Sequence, residues 1–496
     1  MVTNSYENLK LVQFLEVAST NIGKETFYNT ESEQLAQLTS LHTNLVLSNR
    51  RYYSLTGLLP INDYSKTMIL RGLLATGKNR ADEDETLEWN LIKAIVDELP
   101  ITRLLRFFVD EIASNNEKTG GKRLNNARVR RLGQRIWDQA KPYQVIKYKD
   151  KYKTIIRHCR LKPDSSKGED KLELQNWLFG KLKKANHVQK CDLLKQRLLA
   201  SKGDKEALMK LPLDVAEGIA LAKFKMSKEE FVGAFSKKGK ASRKETLRNR
   251  SYDKTNVTID FSKYNLLELI RYGQTHRDEW GEIAPHIKTQ AEKLGANLLL
   301  PQRVAIVVDN SLSMQGKQSR YGYPIAFAEA VTRICLATKF DVKVWFTHDI
   351  NLHKGAFTVK GATDIRLPLA KAISSRRDAV IIISDGYENQ SSGTVAEILN
   401  TDAVKNSNIS FYQINPVAAV ESDSATRTLA SGIDLIAMAD IKQFPLALMM
   451  TQMKNDPDLL INHLNRVYGA LQVNDIRQAK AIARFKDSGK SLALQS

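Results

Sequence analysis

Short runs of apolar residues alternate with helical patterns in the second half of the chain. The runs cover 304–308, 342–347, 379–383, 409–414 and 435–438. The first and third runs are uninterrupted and rich in β-branched residues, which predicts parallel strands buried on both faces. Between the runs, apolar residues recur at helical spacing over 325–339 and 369–374. This alternation predicts an α/β domain built on a doubly wound, Rossmann-like parallel sheet.

The part of the chain before this domain carries a helical pattern. Apolar residues recur three and four positions apart over 35–47, 68–74, 87–95 and 101–112. Asp82–Glu85 is acidic and precedes one of these stretches, as is typical of a helix amino terminus. The pattern has no strict repeat length, which favours an irregular helical solenoid over a regular array. We therefore predict a helical domain over 1–295, the α/β domain over 300–453 and a helical extension over 454–496.

Three oxygen-bearing side chains directly follow the first predicted strand. Asp309, Ser311 and Ser313 form the pattern Asp-x-Ser-x-Ser. Ligands of open α/β sheets collect beyond the carboxyl ends of the strands. A carboxylate and two hydroxyls are hard donors, which suit Mg²⁺ or Mn²⁺ better than soft metals. Taken alone, the triplet is also typical of turns and helix caps, so a purely structural interpretation is the alternative.

Two later residues extend this triplet. With Thr363 and with Asp385, which follows the third predicted strand, the set resembles the metal-ion-dependent adhesion site of von Willebrand factor A domains. The resemblance implies that Ser311, Ser313 and Thr363 bind a divalent cation directly. It implies that Asp309 and Asp385 act mainly through water. An open coordination position is then left for a partner's carboxylate or a phosphate oxygen.

The charge of the chain is concentrated in one segment. The net charge of the 496 residues is +20 at pH 7, and residues 101–250 carry 38 lysines and arginines against 17 acidic residues. This concentration predicts a surface that binds a polyanion such as RNA. The alternative is a solvated helical face, which explains an excess of this size poorly. Within the segment, 236–250 has seven basic residues and one Glu, which predicts a mobile loop for phosphates.

Two patterns in this segment point to RNA more specifically. Arg128, Arg131 and Arg135 have helical spacing, which predicts a basic stripe along one helix face. Basic and aromatic residues then alternate over 141–153, where the helical surroundings favour a helix end and a turn. Lysines neutralise phosphates, and tyrosines offer faces on which unpaired bases stack for about 1–3 kcal/mol each. Tyr148 and Tyr152 fit ordinary half-buried core positions equally well.

A second resemblance covers about residues 10–450 and is sharpest over 128–163 and 303–390. The sequences Arg131-Leu-Gly-Gln-Arg-Ile-Trp137, Val145-Ile-Lys-Tyr-Lys149 and Ile155-Ile-Arg-His-Cys-Arg-Leu-Lys-Pro163 are similar to the TROVE module of Ro autoantigen proteins. In that family a ring of HEAT-like helical repeats precedes a von Willebrand A domain. The resemblance implies binding of small structured noncoding RNAs (Y RNAs) on the basic outer surface. It also implies that single-stranded 3′ ends of misfolded RNAs enter the ring hole, in some bacterial members together with an exoribonuclease.

The same resemblance implies which residues contact RNA. Lys147 and Lys151 match basic residues that touch RNA near the hole. Arg160 stands where the family usually has a histidine, and His158 is a candidate substitute two residues earlier. The candidate RNA-binding residues are Arg128, Arg131, Arg135, Lys147, Lys149, Lys151, Arg157, His158, Arg160 and Lys162. The basic cluster over 236–250 departs from the family, whose members keep a more apolar helix–turn motif there.

The alternative function is a metal-dependent protein–protein adaptor without specific RNA, whose basic surface only keeps the chain soluble. A hydrolase is not favoured, because the sequence contains no spaced set of nucleophile, base or metal-activated water; His348, after the second predicted strand, is interpreted as a solvated loop residue. Three widely spaced cysteines favour a reducing compartment. The chain opens without a signal peptide and has no apolar run of membrane-spanning length. We therefore expect a cytoplasmic protein that does not bind membranes.

Overall fold

The computed structural model describes most of the chain, in two compact units. The described residues are 5–20, 31–75, 82–113, 126–162, 168–235, 261–295, 303–316, 321–350, 355–388, 393–416, 428–438, 440–473 and 475–484. The first unit comprises Met1–Leu73, Arg80–Glu98 and Asn265–Ser496, and the second comprises Leu74–Asn79 and Leu99–Tyr264. The predicted basic loop over 236–250 lies outside the described residues.

The described residues up to 98 are mostly helical, as the apolar spacing predicts. They are α1 Ser5–Thr20, α2 Glu31–Ser48, α3 Arg50–Leu55, α4 Asp63–Leu74 and α5 Asp82–Glu98. The α5 helix begins at Asp82, where the acidic sequence predicted a helix amino terminus. The predicted helix over 87–95 is therefore confirmed.

The second unit is also helical where it is described. Its α-helices are α6 Ile101–Arg106, α7 Asn126–Gln139, α8 Pro142–Lys147, α9 Lys149–Cys159, α10 Glu169–Leu178, α11 Asp192–Ser201, α12 Lys205–Lys210, α13 Leu213–Lys223 and α14 Lys228–Phe235. A π-helix, Phe107–Ala113, extends the predicted helix that begins after Pro100. The α9 helix packs against α7, α6 and this π-helix. Tyr148 ends α8 and precedes α9, so the basic–aromatic stretch forms helix ends and a turn, as predicted.

The α/β part of the first unit contains a parallel sheet of five strands among the described residues. The strands are β1 Arg303–Val308, β2 Asp341–Phe346, β3 Ala379–Ile383, β4 Ser410–Asn415 and β5 Asp434–Ala437. Their order is β2-β1-β3-β4-β5, and every neighbouring pair is parallel. All of the predicted strands are confirmed, because each lies at or next to its predicted position. The helices of this part are α15 Leu266–Thr275, α16 Trp280–Gly295, α17 Tyr323–Leu336, α18 Arg366–Ser374, α19 Thr394–Leu399 and α20 Asp402–Lys405.

The two central strands are buried, as an uninterrupted apolar run requires. Every residue of β3 is buried, and only Arg303 of β1 is exposed. Ala305 and Val307 of β1 lie in one core cluster with Val380 and Ile382 of β3 and with Leu369 of α18. Core packing therefore fixes the ends of β1 and β3. The residues that follow these two strands are held in place by the sheet.

The last helices pack against the first helices of the same unit. They are α21 Phe444–Asn455, α22 Asp458–Gln472 and α23 Ile476–Ala483. Asn8 Nδ2 donates to Asp458 Oδ1 at 3.0 Å, and Tyr52 Oη donates to Asn465 Oδ1 at 2.9 Å. The first and the last helices therefore belong to the same compact unit. The predicted domain boundaries at 295, 300 and 453 assume domains that are continuous in the sequence, and they stay predictions. In the part of the chain that the structure describes, no helix has the length and apolar character needed to cross a bilayer.

Candidate functional site

The candidate metal site lies where the strand order of the sheet reverses. Strand β1 has β2 on one side and β3 on the other, so the connections after β1 and β3 run in opposite directions. Such a switch point leaves a crevice at the carboxyl ends of the two strands. Asp309 directly follows β1, and Asp385 lies two residues after β3. The topology therefore brings these two carboxylates to the same crevice.

Asp309 is fixed by two hydrogen bonds in the interior. Its Oδ1 accepts from the Ser311 backbone N–H at 2.9 Å, and its Oδ2 accepts from Ser384 Oγ at 2.9 Å. The residue is fully buried. The first bond turns the chain after β1, so that Ser311 and Ser313 follow in the right place. The second ties β1 to the end of β3.

The three predicted hydroxyl ligands lie together. Ser311 Oγ is 2.9 Å from Ser313 Oγ, and Thr363 Oγ1 donates to Ser311 Oγ at 2.8 Å. The Leu312 backbone N–H donates to the Gly361 carbonyl at 3.0 Å, which joins the two loops that carry them. Hydroxyls from two distant parts of the sequence thus converge beside the two carboxylates.

The electrostatics of the site favour a cation. Burial raises the pKa of Asp385 to about 7, and the neighbouring Asp309 adds to the effect. Burial also raises the pKa of Asp309. The Oδ2 atom of Asp385 is buried without a hydrogen-bond partner. Two buried carboxylates and three hydroxyls are hard oxygen donors, so the residues fit a divalent cation such as Mg²⁺.

This donor set differs from a cluster of acidic and imidazole ligands. Among the described residues, no group of three or more histidines, cysteines and acidic residues is arranged to hold a metal ion. Three of the five donors in the candidate site are hydroxyls, as the resemblance to metal-ion-dependent adhesion sites implies.

Asn310 holds the loop of the candidate site in place, and sequence reasoning did not single it out. Its Nδ2 donates to the carbonyls of His348 (3.0 Å) and Thr358 (3.2 Å), and its Oδ1 accepts from Thr347 Oγ1 at 2.8 Å. The side chain is fully buried. The sequence feature that pointed to Asn310 was its position between Asp309 and Ser311 of the candidate motif. His348 is half-buried rather than solvated, with Nε2 3.0 Å from the Ala362 carbonyl oxygen.

The predicted basic stripe on α7 is only partly exposed. Arg131 is exposed, Arg135 is half-buried, and Arg128 is buried with 5% of its surface exposed. The α7 helix packs against α9, and part of the predicted stripe is buried within the unit. The three guanidinium groups are therefore not displayed on one solvent-exposed face.

The candidate cations on and beside α8 and α9 are mostly at the surface. The exposed members are Lys147, Lys149, Arg157, Arg160 and Lys162, whereas Lys151 and His158 are half-buried. Burial lowers the pKa of His158, whose ring meets Phe108 edge to face at 5.7 Å. Arg160 has a left-handed backbone, φ 52°, and ends α9. Tyr152 is fully buried, so it is a core residue and offers no face to a base.

Comparison with solved structures identifies the fold. The crystal structure of the Ro (RSR) protein of Deinococcus radiodurans aligns with 97% of this chain and with 100% of that chain, at a TM-score of 0.50 and 14% sequence identity. The chain has the Ro fold. The likeness confirms, at the level of the fold, the resemblance that the TROVE-like sequences carry. No sequence profile of a protein family and no curated protein sequence matches the chain.

The alignment covers nearly the whole chain, so the likeness includes both the helices and the parallel sheet. The likeness at 14% identity concerns backbone architecture. The chemistry of the two candidate sites therefore depends on this chain's own side chains, which are the five oxygen donors and the cations of α8 and α9.

Proposed function

We propose that the chain is an RNA-binding scaffold of the Ro type. In this proposal the helices form a HEAT-like ring, and the sheet belongs to a von Willebrand A domain. The protein binds small structured noncoding RNA of the Y RNA kind on its basic helical surface. It takes single-stranded 3′ ends of misfolded RNA into the ring hole, in RNA quality control with an exoribonuclease.

The observation that carries this proposal is the display of cations along α8 and α9 of a chain with the Ro fold. Lys147, Lys149 and Arg157 are exposed on adjoining helices. Between Pro142 and Cys159 the sequence has a single acidic residue, Asp150. A polyanion that approaches these helices meets little opposing charge, and neutralised phosphates release counterions on binding.

A double charge reversal tests the RNA proposal. Lys147→Glu with Lys151→Glu places two negative charges where a phosphate backbone would lie, so binding of an RNA with a free single-stranded 3′ end should weaken by roughly tenfold or more. Lys205→Glu with Lys210→Glu is the matched control, because both lysines are exposed on α12. Fluorescence anisotropy with a labelled RNA measures both. Equal affinities of the two variants would refute the assignment of the 3′-end site.

The metal site forms the second part of the proposal. Ser311, Ser313 and Thr363 bind Mg²⁺ or Mn²⁺ directly, and the two aspartates act through water. When bound, the cation supplies an open coordination position for a carboxylate or phosphate oxygen. This part is supported by the convergence of the five donors and by the two buried carboxylates.

A second candidate function is a metal-dependent protein–protein adaptor. Leu312 and Leu367 support it, because Leu312 is 57% exposed in the loop after β1 and Leu367 is 62% exposed in the first turn of α18, close in sequence to Thr363. Exposed apolar side chains beside a cation suit an acidic protein ligand better than a phosphate backbone. Retention of RNA that falls steeply with salt separates the two candidates. Both are binding functions, and neither assigns a catalytic residue.

A further inference from the structure

A cavity of about 220 Å³ lies in the first unit and uses none of the residues assigned to RNA or to the metal site. Its walls come from two segments, the chain at the start of α16 and residues 349–360, which follow β2. The lining residues that matter here are Arg277, Trp280, Asp349, Ile350, Ala356 and Lys360. Pockets for drug-sized ligands have volumes of about 300–1,000 Å³, so a ligand of this cavity is small.

Arg333 connects the two walls of the cavity. Its guanidinium lies 5.4 Å from the ring centre of Trp280 and donates to the Gly355 carbonyl at 3.4 Å. Its partner Glu329, 2.8 Å away, also accepts from the Phe357 backbone N–H at 2.7 Å. Glu329 is fully buried, so this ion pair belongs to the core. The cavity is therefore pre-formed, which reduces the ordering cost of binding a ligand.

The charged lining residues are available to a ligand. Arg277, Asp349 and Lys360 are exposed, and their side chains form no hydrogen bond or ion pair with the described part of the chain. Glu279, which lies next to Trp280 in the sequence, already accepts from the Tyr272 hydroxyl at 2.8 Å. The lining thus presents two cations against one carboxylate, which favours an anion.

The apolar lining residues lie deeper than the charged ones. Ala356 is buried, and Trp280 and Ile350 are half-buried. Inorganic phosphate would leave this apolar wall without a contact, and a neutral ring would leave the two cations without one. The lining therefore suits a molecule that carries both a planar apolar group and an anionic group.

We propose that this cavity, the Trp280 cavity, binds a free ribonucleoside monophosphate. Arg277 and Lys360 hold the phosphate, because guanidinium and ammonium groups form charge-assisted hydrogen bonds with its oxygens. Asp349 accepts hydrogen bonds from the ribose hydroxyls. The base lies against the wall formed by Trp280 and Ala356.

Titration calorimetry of the full chain tests which parts of the ligand are recognised. The buffer contains EDTA, so that no cation at the candidate metal site supplies a phosphate contact. We expect binding of at least one of UMP and AMP. The corresponding nucleoside, ribose 5-phosphate and inorganic phosphate should each bind at least about tenfold more weakly, because each lacks the base or the phosphate.

A pair of substitutions tests the two cations. Arg277→Gln with Lys360→Gln should weaken nucleotide binding at least about tenfold, because two charge-assisted hydrogen bonds are lost. Lys339→Gln with Lys371→Gln is the matched control, since both lysines are exposed in the same unit and the change in charge is the same. The control should leave the affinity unchanged. Circular dichroism checks that both variants are folded.

Tryptophan fluorescence locates the bound nucleotide. The chain has five tryptophans, and a base against Trp280 should change the emission of that residue. Trp280→Phe keeps an aromatic ring in the wall and should remove the nucleotide-dependent change. If Trp280→Phe does not fold, the paired Arg277 and Lys360 substitutions decide.

Four results would overturn the proposal. Neither UMP nor AMP binds the wild-type chain; a nucleoside, ribose 5-phosphate or inorganic phosphate binds as tightly as the nucleotide; the Arg277→Gln, Lys360→Gln variant behaves like its control; or folded Trp280→Phe keeps the fluorescence change. The proposed RNA and metal contacts involve other residues, so each of these results leaves the proposed function standing.

Discussion

Thr363 donates its hydroxyl hydrogen to Ser311 Oγ at 2.8 Å, although the two residues are 52 positions apart in the sequence. The contact exists because the loop after β1 and the loop before α18 are joined by the Leu312–Gly361 backbone hydrogen bond. Both residues are fully buried. The protein's own hydrogen bonds therefore bring the hydroxyl donors of the candidate metal site to one point.

Loss of the Thr363 hydroxyl should weaken metal binding with little change in packing. Thr363→Val keeps the shape of the side chain and removes one predicted direct ligand, and Asp309→Ala removes a carboxylate. We expect titration calorimetry to detect Mg²⁺ binding to the wild-type chain, and to find it abolished in Asp309→Ala and weakened in Thr363→Val. Asp402→Ala is the control, because Asp402 is exposed in the first turn of α20. Mg²⁺ binding that persists in both site variants, with circular dichroism unchanged, would reject the site.

Gly133 lies where α7 contacts α9. A Cβ atom there would overlap Cys159 Sγ and lie 3.2 Å from Cys159 Cβ. Gly133→Ala should therefore lower the free energy of unfolding by about 1–3 kcal/mol, as overpacking does. The intrinsic helix preference of Ala acts in the opposite direction, by about 1 kcal/mol.

Gly218 provides a matched control for this substitution. It lies inside α13, and a Cβ atom there meets nothing within 4 Å. Gly218→Ala should raise the free energy of unfolding by about 0.5–1 kcal/mol. Urea denaturation measures both variants. Addition of Cys159→Ala to Gly133→Ala should recover part of the loss, and a stabilising Gly133→Ala would contradict the overlap.

His463 should make the protein less stable in mild acid. The side chain is 2% exposed in α22, and burial lowers its pKa to about 4, with a smaller effect of Arg466. The unfolded chain takes up this proton near pH 6.5. The free energy of unfolding therefore falls as the pH drops from 6.5 towards 4, by about 2 kcal/mol between pH 7 and pH 5.

Replacement of the imidazole checks the assignment. His463→Gln removes the titrating group, so urea denaturation at pH 7 and pH 5 should show a difference about 2 kcal/mol smaller than in the wild type. His187→Gln, at an exposed position, should leave the pH dependence as in the wild type. Identical pH dependence in both variants would mean that another group is responsible.

Glu98 forms ion pairs with Lys66 of α4 and with Arg484, which follows α23. Its carboxylate pairs with Lys66 Nζ at 2.8 Å and with an Arg484 guanidinium nitrogen at 2.9 Å, and the Glu98 and Lys66 side chains are 7% and 9% exposed. Glu98→Gln leaves Lys66 buried without its charged partner, which should cost about 3 kcal/mol of stability. Arg484→Ala should cost only about 0.5 kcal/mol, because the Arg484 side chain is 42% exposed. Equal losses of unfolding free energy for Glu98→Gln and Arg484→Ala, measured by urea denaturation, would contradict the larger contribution of the Glu98–Lys66 pair.

The arrangement of helices and strands follows from the sequence to a large extent. The buried strands β1 and β3 are continuous apolar runs, and α5 begins at its acidic residues. These patterns act locally, because the side-chain period and the capping chemistry are set by neighbouring residues. The π-helix after α6 and the burial of Arg128 were not predicted from these patterns. The burial of a side chain depends on what its helix packs against, which neighbouring residues do not specify.

The candidate sites differ in how much the sequence reveals. Asp309, Ser311 and Ser313 stand close together in the chain, so their pattern is readable. Asn310 has no pattern of its own, and its hydrogen bonds to the 347–358 region exist only in the folded chain.

The sequence by itself determined the helices, the five strands and the identity of the oxygen donors, because these depend on side-chain periodicity and on short motifs. Only the tertiary structure decided which donors meet, which cations remain at the surface and which helices the carboxyl-terminal segment contacts. Those outcomes depend on strand order and on the burial of particular faces. Both are properties of residues far apart in the chain, so no local pattern contains them.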